Sequence, residues 1–495
     1  MKELVDSLNG YIWSPALIYL CLGVGLYFSL RTRFLQIRHV KEMVKLMFEG
    51  KPSDKGVSSF QALTISLSGR VGTGNIAGVA TAITFGGPGA IFWMWAVAFL
   101  GASTAFIEST LAQIYKEQED GQYRGGPAYY IEKGLGMKWY AWIFAFATIL
   151  GTGLLLPGVQ ANSIASGIEN AFGIPTTVTA TLVVILLGLI IFGGVKRIAS
   201  FAEVVVPFMA LGYILVASVI IALHIDQLPA IVTLIIKSAF GLEAGFGAIL
   251  GLAVMWGVKR GVYSNEAGQG TGPHPAAAAE VSHPAKQGLV QGFSVYVDTL
   301  FVCTATAFMI LITGNYNVQA ADGSFLVQGL AGIAAGPAYT QNAVETVLPG
   351  FGSIFVAIAL FFFAFTTIIA YYYIAETNVA YINRALKQPW LMFVLKVALM
   401  ASVLYGAVKT ADVAWGLGDI GVGLMAWLNI VAILLLQKPA LLALKDYEAQ
   451  KQAGVDPVFH PEKLGIKNAD FWVKRQQKQA AATRTEEVSA APEQA

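Results

Sequence analysis

The sequence predicts an all-α polytopic membrane protein, and three features predict it: an apolar composition, regularly recurring apolar segments and two glycine-rich interruptions. The 495 residues are 56% hydrophobic and only 13% charged, whereas about a quarter of the residues in soluble domains are charged. Apolar segments of about 20 residues, each long enough to cross about 30 Å of hydrocarbon, recur along most of the chain. We therefore expect a chain that crosses a membrane many times.

Eleven apolar segments are predicted to be transmembrane helices. They cover residues 14–30, 60–85, 89–114, 138–166, 176–194, 200–223, 244–262, 287–314, 350–375, 389–408 and 415–437. The first segment ends in Arg31-Thr32-Arg33 rather than in a small-residue cleavage site, so we expect a retained helix and not a signal peptide. Cys21 and Cys303 both fall inside spans, which favours packing roles over a disulfide.

Lysine and arginine are concentrated in alternate connections between the spans. The loop at 31–59 contains seven of them, whereas residues 315–350 contain none. Because cytoplasmic loops are enriched in these residues, we predict a multi-pass protein of the cell membrane with its N-terminus outside and its C-terminus in the cytoplasm. The net charge of +2 gives no indication of nucleic-acid binding.

The spans divide into a leading helix and two sets of five. Residues 1–58 form the leading helix with a basic cytoplasmic loop, 59–223 the first set, 224–437 the second set, and 438–495 a cytoplasmic tail that we expect to be disordered from about Gln476. An odd number of crossings in the first set makes the second set enter the membrane from the opposite side. This is the topology of two inverted repeats.

The leading span of each set is interrupted by polar or glycine residues. The first carries Gly69, Gly72, Gly74 and Asn75. The second carries Gly245, Gly247, Gly251, Gly257 and Gly261, and we expect it to unwind near Gly257. An unbonded backbone group costs several kcal/mol in lipid, so such breaks occur where they line a cavity or hold a ligand. The sequence therefore predicts a transporter whose substrate site lies at the two breaks.

The first break supplies groups for both an anion and a cation. The exposed amides of Gly72, Thr73 and Gly74 begin its outer half and attract a carboxylate. The carbonyls of Ser68, Gly69 and Val71 end its inner half and attract a cation. Thr366 and Thr367, in an apolar span, add neutral oxygens of the kind that sodium binds reversibly, although threonine hydroxyls in helices also bond back to carbonyls one turn earlier.

Three segments resemble the alanine or glycine:cation symporters, also called sodium:alanine symporters. They are GGPGAIFWMWAVAFLG at 86–101, GTGNIAGVA at 72–80 and KRGVYSNEAGQG at 259–270. The resemblance extends over essentially all the spans. It implies a leucine-transporter-type fold, with ten helices in two inverted repeats, and sodium-coupled uptake of small neutral amino acids.

The resemblance also implies roles for particular residues. The amides of Thr73 and Gly74 would bind the substrate carboxylate, with Asn75 beside the substrate or an ion. Gln160 would be the substrate contact of the third helix of the repeat, and Trp256 and Gly257 would close the pocket. Sodium would be held by the carbonyls of Ser68, Val71 and Phe363 and the hydroxyls of Thr366 and Thr367. Arg70 departs from the related neurotransmitter:sodium symporters, which have a small residue at that position.

Among the charged residues within spans, where an unpaired charge is costly, four are candidates for a functional role. They are Arg70, Glu108, Glu203 and Asp298. Two interpretations remain open: a salt-bridged inner gate, or charges that reach water at helix ends. A proton relay through Glu108 or Asp298 is a further alternative. The spacing of His274 and His283 matches no metal motif.

The predicted function is therefore symport of alanine or glycine with sodium, and the predicted partners are the amino acid, the ion and the lipid bilayer. No cofactor other than the coupling ion is expected. Proton coupling is the main alternative. An ion channel is a more distant one, because nothing in the sequence repeats at four-fold spacing. An intramembrane enzyme is not favoured, because no nucleophile–base pair falls within a span.

Overall fold

Helices make up most of the computed structural model, which describes residues 2–192, 194–243 and 245–490. The helices of the first half are α1 Lys2–Ile12, α2 Pro15–Arg31, α3 Leu35–Arg38, α4 Val40–Met47, α5 Ser59–Arg70, α6 Val79–Gly86, α7 Gly89–Ile114, α8 Pro127–Tyr130, α9 Lys138–Leu150, α10 Leu156–Phe172, α11 Thr176–Ile191 and α12 Gly194–Leu223. Those of the second half are α13 Leu228–Ala239, α14 Leu250–Asn265, α15 Pro273–Ala278, α16 Pro284–Val295, α17 Thr304–Thr313, α18 Pro337–Val347, α19 Gly352–Leu386, α20 Leu391–Ala407, α21 Ala411–Gln452 and α22 Asp470–Ala490.

Two small antiparallel hairpins lie in connections between helices. The first pairs β1 (Glu117–Glu119) with β2 (Gln122–Arg124), and the second pairs β3 (Asn317–Gln319) with β4 (Phe325–Gln328). Single turns of wider π-helix occur at Gly74–Gly78, Ile131–Leu135 and Gly151–Leu155, and a longer π-helical stretch occupies Tyr296–Cys303. At the centre of the fold, α7 packs against both α14 and α16.

The apolar segments form helices as predicted. Within the described residues, six helices are long and apolar enough to cross a membrane, or seven if α1 and α2, which meet at a 42° bend, form one span. Three shorter apolar helices, α11, α13 and α20, accompany them. The protein is therefore a multi-pass membrane protein, and the exact count of eleven spans stays a prediction. One residue of the predicted span 176–194, residue 193, and one of the predicted span 244–262, residue 244, lie outside the described residues.

The first predicted break is present. Helix α5 begins with a capping box, in which Ser58 Oγ accepts the Gln61 amide at 3.1 Å and Gln61 Oε1 accepts the Ser58 amide at 3.0 Å. The helix ends at Arg70, and Val71 has the non-helical angles φ −76° and ψ 86°. The chain resumes with the π-turn Gly74–Gly78 and continues as α6. One predicted membrane span is thus two half-helices.

The second break is present as well, but not where the sequence predicted it. Gly257 lies inside the unbroken helix α14, so the predicted unwinding there was wrong. The break follows the helix, at residues 266–272, where Glu266, Gly268 and Gly270 have φ values of 57°, 83° and 87°. Gly257 is instead a packing residue: a Cβ there would lie 2.5 Å from Ala90 O and from Trp93 Cβ of α7.

The expected disorder of the tail from about Gln476 stays a prediction. Helix α22 runs from Asp470 to Ala490 and contains Gln476, the residue from which disorder was expected. Residues 491–495 lie outside the described part of the chain.

We predict that Gly257→Ala destabilises the protein, because the added methyl group must push α14 away from α7. Overpacking of this kind typically costs about 1–3 kcal/mol. Gly251→Ala, in the same helix, is the matched control, because a Cβ at that position would have no atom within 4 Å. The melting temperature in detergent should fall for Gly257→Ala only, and equal shifts for the two variants would contradict close packing at Gly257.

Candidate functional site

Side chains from two elements already bind the amides freed at the first break. The Gly72 amide donates to Asn75 Oδ1 at 2.8 Å, and the Thr73 amide donates to Gln160 Oε1 at 3.0 Å. Gln160 lies on α10 and is 1% exposed. The side-chain oxygen of Gln160 thus occupies the position in which a ligand carboxylate oxygen would accept the same hydrogen bond from the Thr73 amide.

Glycine is required at Gly72 by the closeness of its neighbours. A Cβ there would lie 2.4 Å from Thr367 Oγ1 and 3.0 Å from Gln160 Oε1. At Gly74, a Cβ would lie 3.2 Å from the Tyr263 ring and 3.3 Å from Ser264 Cα of α14. The first break is therefore enclosed by α10, α14 and α19.

Five predicted cation ligands converge beside this break. Thr367 Oγ1 lies 2.7 Å from Ser68 O, 2.9 Å from Phe363 O and 3.4 Å from Val71 O. Thr366 Oγ1 lies 3.0 Å from the same Phe363 O, and also 2.9 Å from Phe362 O. Both expected behaviours of Thr367 are present, since its hydroxyl bonds a carbonyl of its own helix and carbonyls of the broken one. The donor set, neutral oxygens only, suits a monovalent hard cation.

Asp298 joins the two broken helices rather than forming a gate. Its Oδ1 accepts from Asn75 Nδ2 at 2.6 Å and from Ser264 Oγ at 3.1 Å, and its Oδ2 accepts from Thr299 Oγ1 at 2.6 Å. Asn75 belongs to the first break, and Ser264 lies in the last turn before the second. The carboxylate is fully buried, so it links the two breaks through hydrogen bonds alone.

The predicted salt-bridged inner gate is not formed: no ion pair within the described residues joins Arg70, Glu108, Glu203 and Asp298 to one another. Arg70 Nη1 donates to Gln291 O at 3.1 Å and to Ser294 Oγ. Glu203 Oε2 accepts from Gln61 Nε2 at 2.9 Å. Arg70, Glu108 and Asp298 are buried. The alternative that these three charged groups reach water at helix ends is therefore wrong, and it stays open for Glu203 only.

Glu108 has a role that the sequence analysis missed. Its Oε1 accepts the amide of Gly268 at 3.2 Å, and its Oε2 accepts from Asn429 Nδ2 at 2.7 Å. Asn429 also donates to Gly268 O at 2.9 Å. Glu108 and Asn429 thus satisfy both backbone groups of Gly268 within the second break.

Trp256 and Gly257 do not contact the first break as predicted. Trp256 stacks on Phe85 with 4.7 Å between ring centroids, and Gly257 faces α7. Tyr263 and Ser264, two turns further along α14, contact Gly74 instead. The shift has a simple cause: the helix unwinds nine residues later than predicted, so a later turn reaches the site.

A buried cluster of charged residues lies beside Tyr263, and the sequence analysis did not predict it. Asp419 of α21 pairs with Lys259 Nζ at 2.7 Å and with Arg260. The Arg260 guanidinium lies 4.8 Å from the Trp415 ring centroid and 5.0 Å from that of Tyr263. The signal was present, since opposite charges fall within the predicted spans 244–262 and 415–437, where each charge needs a partner.

Trp415 lines a cavity that lies next to the site. The cavity has a volume of about 330 Å³ and is lined by Trp415, by Asn162, Ser163 and Ser166 of α10, and by the loop at 332–338. The ring of Trp415 also packs on Tyr263, with 5.0 Å between centroids. We call Trp415, Tyr263 and the ion cluster of Lys259, Arg260 and Asp419 the aromatic lid.

Discontinuous helices whose freed backbone groups meet side chains of neighbouring helices inside a membrane are the hallmark of a secondary transporter. The comparisons with known proteins identify the family. The model of the sodium:alanine symporter family matches residues 1–461, and the chain belongs to this family.

Curated relatives cover nearly the whole chain. A protein of Bacillus subtilis, provisionally named a sodium/proton-dependent alanine carrier, is 67% identical over 96% of this chain and 98% of its own. The sodium/proton-dependent alanine carrier of Bacillus sp. PS3 is 58% identical over 87% and 97%. The sodium/alanine symporter of Methanococcus maripaludis is 37% identical over 88% and 94%. A manganese transporter of Eremococcus coleocola is 12% identical over 83% of this chain and 90% of its own, with a TM-score of 0.48.

We predict that Asp419→Asn is strongly destabilising, because it leaves Lys259 and Arg260 buried without their counter-charge. Breaking a buried ion pair from one side typically costs about 3–5 kcal/mol. Asp412→Asn is the matched control on the same helix, because Asp412 pairs with Lys2 at an exposed position. Thermal unfolding in detergent should separate the two variants, and a harmless Asp419→Asn would show that the lid is not held by charge.

Proposed function

We propose that the protein takes up alanine, and the smaller glycine, together with a sodium ion. The observation that carries the proposal is the cross-helix cluster in which Thr367 of α19 meets the carbonyls of Ser68 and Val71 at the first break. An ion bound there would hold α19 and the inner half-helix together. The names of the relatives, which are alanine carriers dependent on sodium or protons, agree with this substrate and this class of ion.

The substrate carboxylate would bind the amides of Thr73 and Gly74. To do so it must displace Gln160 Oε1, which lies 3.0 Å from the Thr73 amide. The carboxylate brings a full negative charge to a helix N-terminus, so the exchange is favourable there. Gly72 and Gly74 leave room for small side chains only, because Thr367 and Gln160 lie close to Gly72 and Tyr263 lies close to Gly74.

Coupling of ion binding to substrate binding would follow because both ligands bind the first broken helix. The ion binds the carbonyls that end the inner half-helix, and the substrate binds the amides that begin the outer half, so each ligand favours the geometry that the other needs. One cation moving down about 100 mV releases about 2.3 kcal/mol. This corresponds to roughly fifty-fold accumulation of the amino acid from the voltage alone.

We further propose that the chain has eleven membrane spans, with a leading helix followed by two inverted repeats of five and with the N-terminus outside. The two breaks support this arrangement, since each lies in or directly after the first span of its predicted repeat. The alternation of basic and non-basic connections supports the orientation.

Proton coupling is the second candidate, and two observations favour it. Two relatives carry names that give sodium and protons together. Asp298 is a fully buried carboxylate at the two breaks, and no lysine, arginine or histidine forms an ion pair with it among the described residues.

The decisive experiment is uptake of radiolabelled alanine into proteoliposomes with separately imposed ion gradients. An inward sodium gradient without a pH difference should drive accumulation, and a proton gradient of the same size in sodium-free buffer should drive much less. Equal accumulation under both gradients would show that either ion can drive uptake. Accumulation under the proton gradient alone would reject sodium coupling.

Thr367→Ala should raise the half-saturating sodium concentration at least ten-fold, because it removes the one hydroxyl that reaches both helices. Thr377→Ala is the matched control: its hydroxyl is equally buried on α19 and bonds Tyr373 O of the same helix. Thr367→Ser should restore sodium affinity, since it keeps the oxygen. The measurement is alanine uptake against sodium concentration, and an unchanged sodium dependence in Thr367→Ala would remove this cluster as the ion site.

A further inference from the structure

The chain beyond α21 folds back onto the segment that follows the second break. We call residues 456–475 the tail strap and residues 279–283, which connect α15 to α16, the junction. The Phe459 amide donates to Ser282 O at 3.0 Å, and Ser282 Oγ donates to Pro457 O at 2.8 Å. Arg475 donates to Val281 O at 3.0 Å and pairs with Glu280 at 2.6 Å. The strap therefore binds the junction at both of its own ends.

Buried aromatic residues anchor the strap between these ends. Trp472 is 2% exposed, and its Nε1 donates to Gln113 O, at the end of α7, at 2.8 Å. Phe459 is fully buried and packs edge-on against both His283 and Trp472. The burial of large aromatic side chains is among the largest apolar contributions to the stability of a contact.

The junction also connects the inner ends of both broken helices. Val57, just before α5, donates to Ala278 O at 3.0 Å and accepts the Glu280 amide at 2.8 Å. Lys116 Nζ, beyond the end of α7, donates to Ala279 O at 2.8 Å. The same ammonium lies 4.7 Å from the Phe471 ring of the strap and 5.4 Å from that of Trp472. Strap, junction, α5 and α7 thus form one bonded unit on this face.

We expect the route from the ion site toward this face to pass between the two breaks, where the chain is closely packed. The narrow gap there is lined by Ser66 and Gly69 of α5 and by Glu266, Thr271 and Gly272 of the second break. To widen it, α5 must move apart from the chain that ends in the junction. The strap binds the junction and the end of α7, so its contacts oppose any displacement of the junction in that movement.

We propose that the tail strap is a latch that keeps this face closed and must release the junction before the site opens to this side. This goes beyond the proposed function, since it assigns control of one face to a segment that touches neither solute nor ion. Loss of the strap should shift the resting protein toward the state that is open on this face.

The test uses the full-length protein with Ser66→Cys as a reporter, because Ser66 is buried and lines the gap. The rate of modification by a membrane-impermeant maleimide is measured on purified protein. Each variant without the reporter serves as its own blank, because the native Cys21 and Cys303 are buried. Ending the chain after Gly454 removes the strap. Ending it after Lys478 keeps the strap and is the matched control.

The rate should rise at least five-fold without the strap and stay unchanged in the control truncation. Arg475→Ala removes the bonds to Val281 and Glu280, and Trp472→Phe removes the bond to Gln113. Each should raise the rate about two-fold, and these variants carry the test if the strapless protein elutes as aggregate. Unchanged rates in folded variants would overturn the proposal, and so would an equal rise in the control truncation. Labelling needs neither alanine nor sodium gradients, so its failure is distinguishable from a failure of the proposed symport.

Discussion

The structure depends on one constraint: the backbone groups set free at the two breaks must be hydrogen-bonded where no water reaches them. Each unsatisfied group would cost several kcal/mol in the membrane. Gln160 satisfies the Thr73 amide, Thr367 the Ser68 carbonyl, and Glu108 and Asn429 the two groups of Gly268. These partners come from α10, α19, α7 and α21, so the breaks determine which helices must surround them.

The partners differ in how easily a ligand can replace them. Gln160 Oε1 is a neutral acceptor, which a carboxylate can exchange for at a helix N-terminus. The Thr367 hydroxyl can turn its proton away and offer its oxygen to a cation. Glu108, by contrast, is buried and bonded on both oxygens. In the proposed function, ligands would therefore replace the partners of the first break, whereas the partners of the second break hold its shape.

The sequence predicted the first break because Gly69, Gly72, Gly74 and Asn75 stand together in an apolar run. It misplaced the second because glycine has two uses in membrane helices: it permits left-handed backbone angles, and it permits close helix packing. Gly257 permits close packing against α7, whereas Gly268 and Gly270 adopt the left-handed backbone angles of the break. The run of polar residues at 264–271 was the better signal, since polar side chains accompany freed backbone groups. The buried charges were recognised, but their partners were not, because Glu108 meets a backbone amide and a side-chain amide instead of a charge.

In the proposed function, the aromatic lid and the contacts of the junction would close the site, and the energy available for transport explains why neither needs to be strong. One cation crossing about 100 mV supplies about 2.3 kcal/mol, so a closure that is net favourable by much more would stop the proposed cycle. The aromatic lid contains a buried ion cluster, in which the cost of desolvating Lys259, Arg260 and Asp419 offsets most of their mutual attraction. Its net stability is therefore small, while its hydrogen-bond and charge geometry allows one arrangement only. The contacts of the junction join it to α5 through backbone hydrogen bonds and to the end of α7 through the Lys116 ammonium. Each bond exchanges for a bond to water on opening, so a neutral one contributes only about 1 kcal/mol. A few contacts of the tail strap would therefore be enough to shift the equilibrium between the closed and the open state.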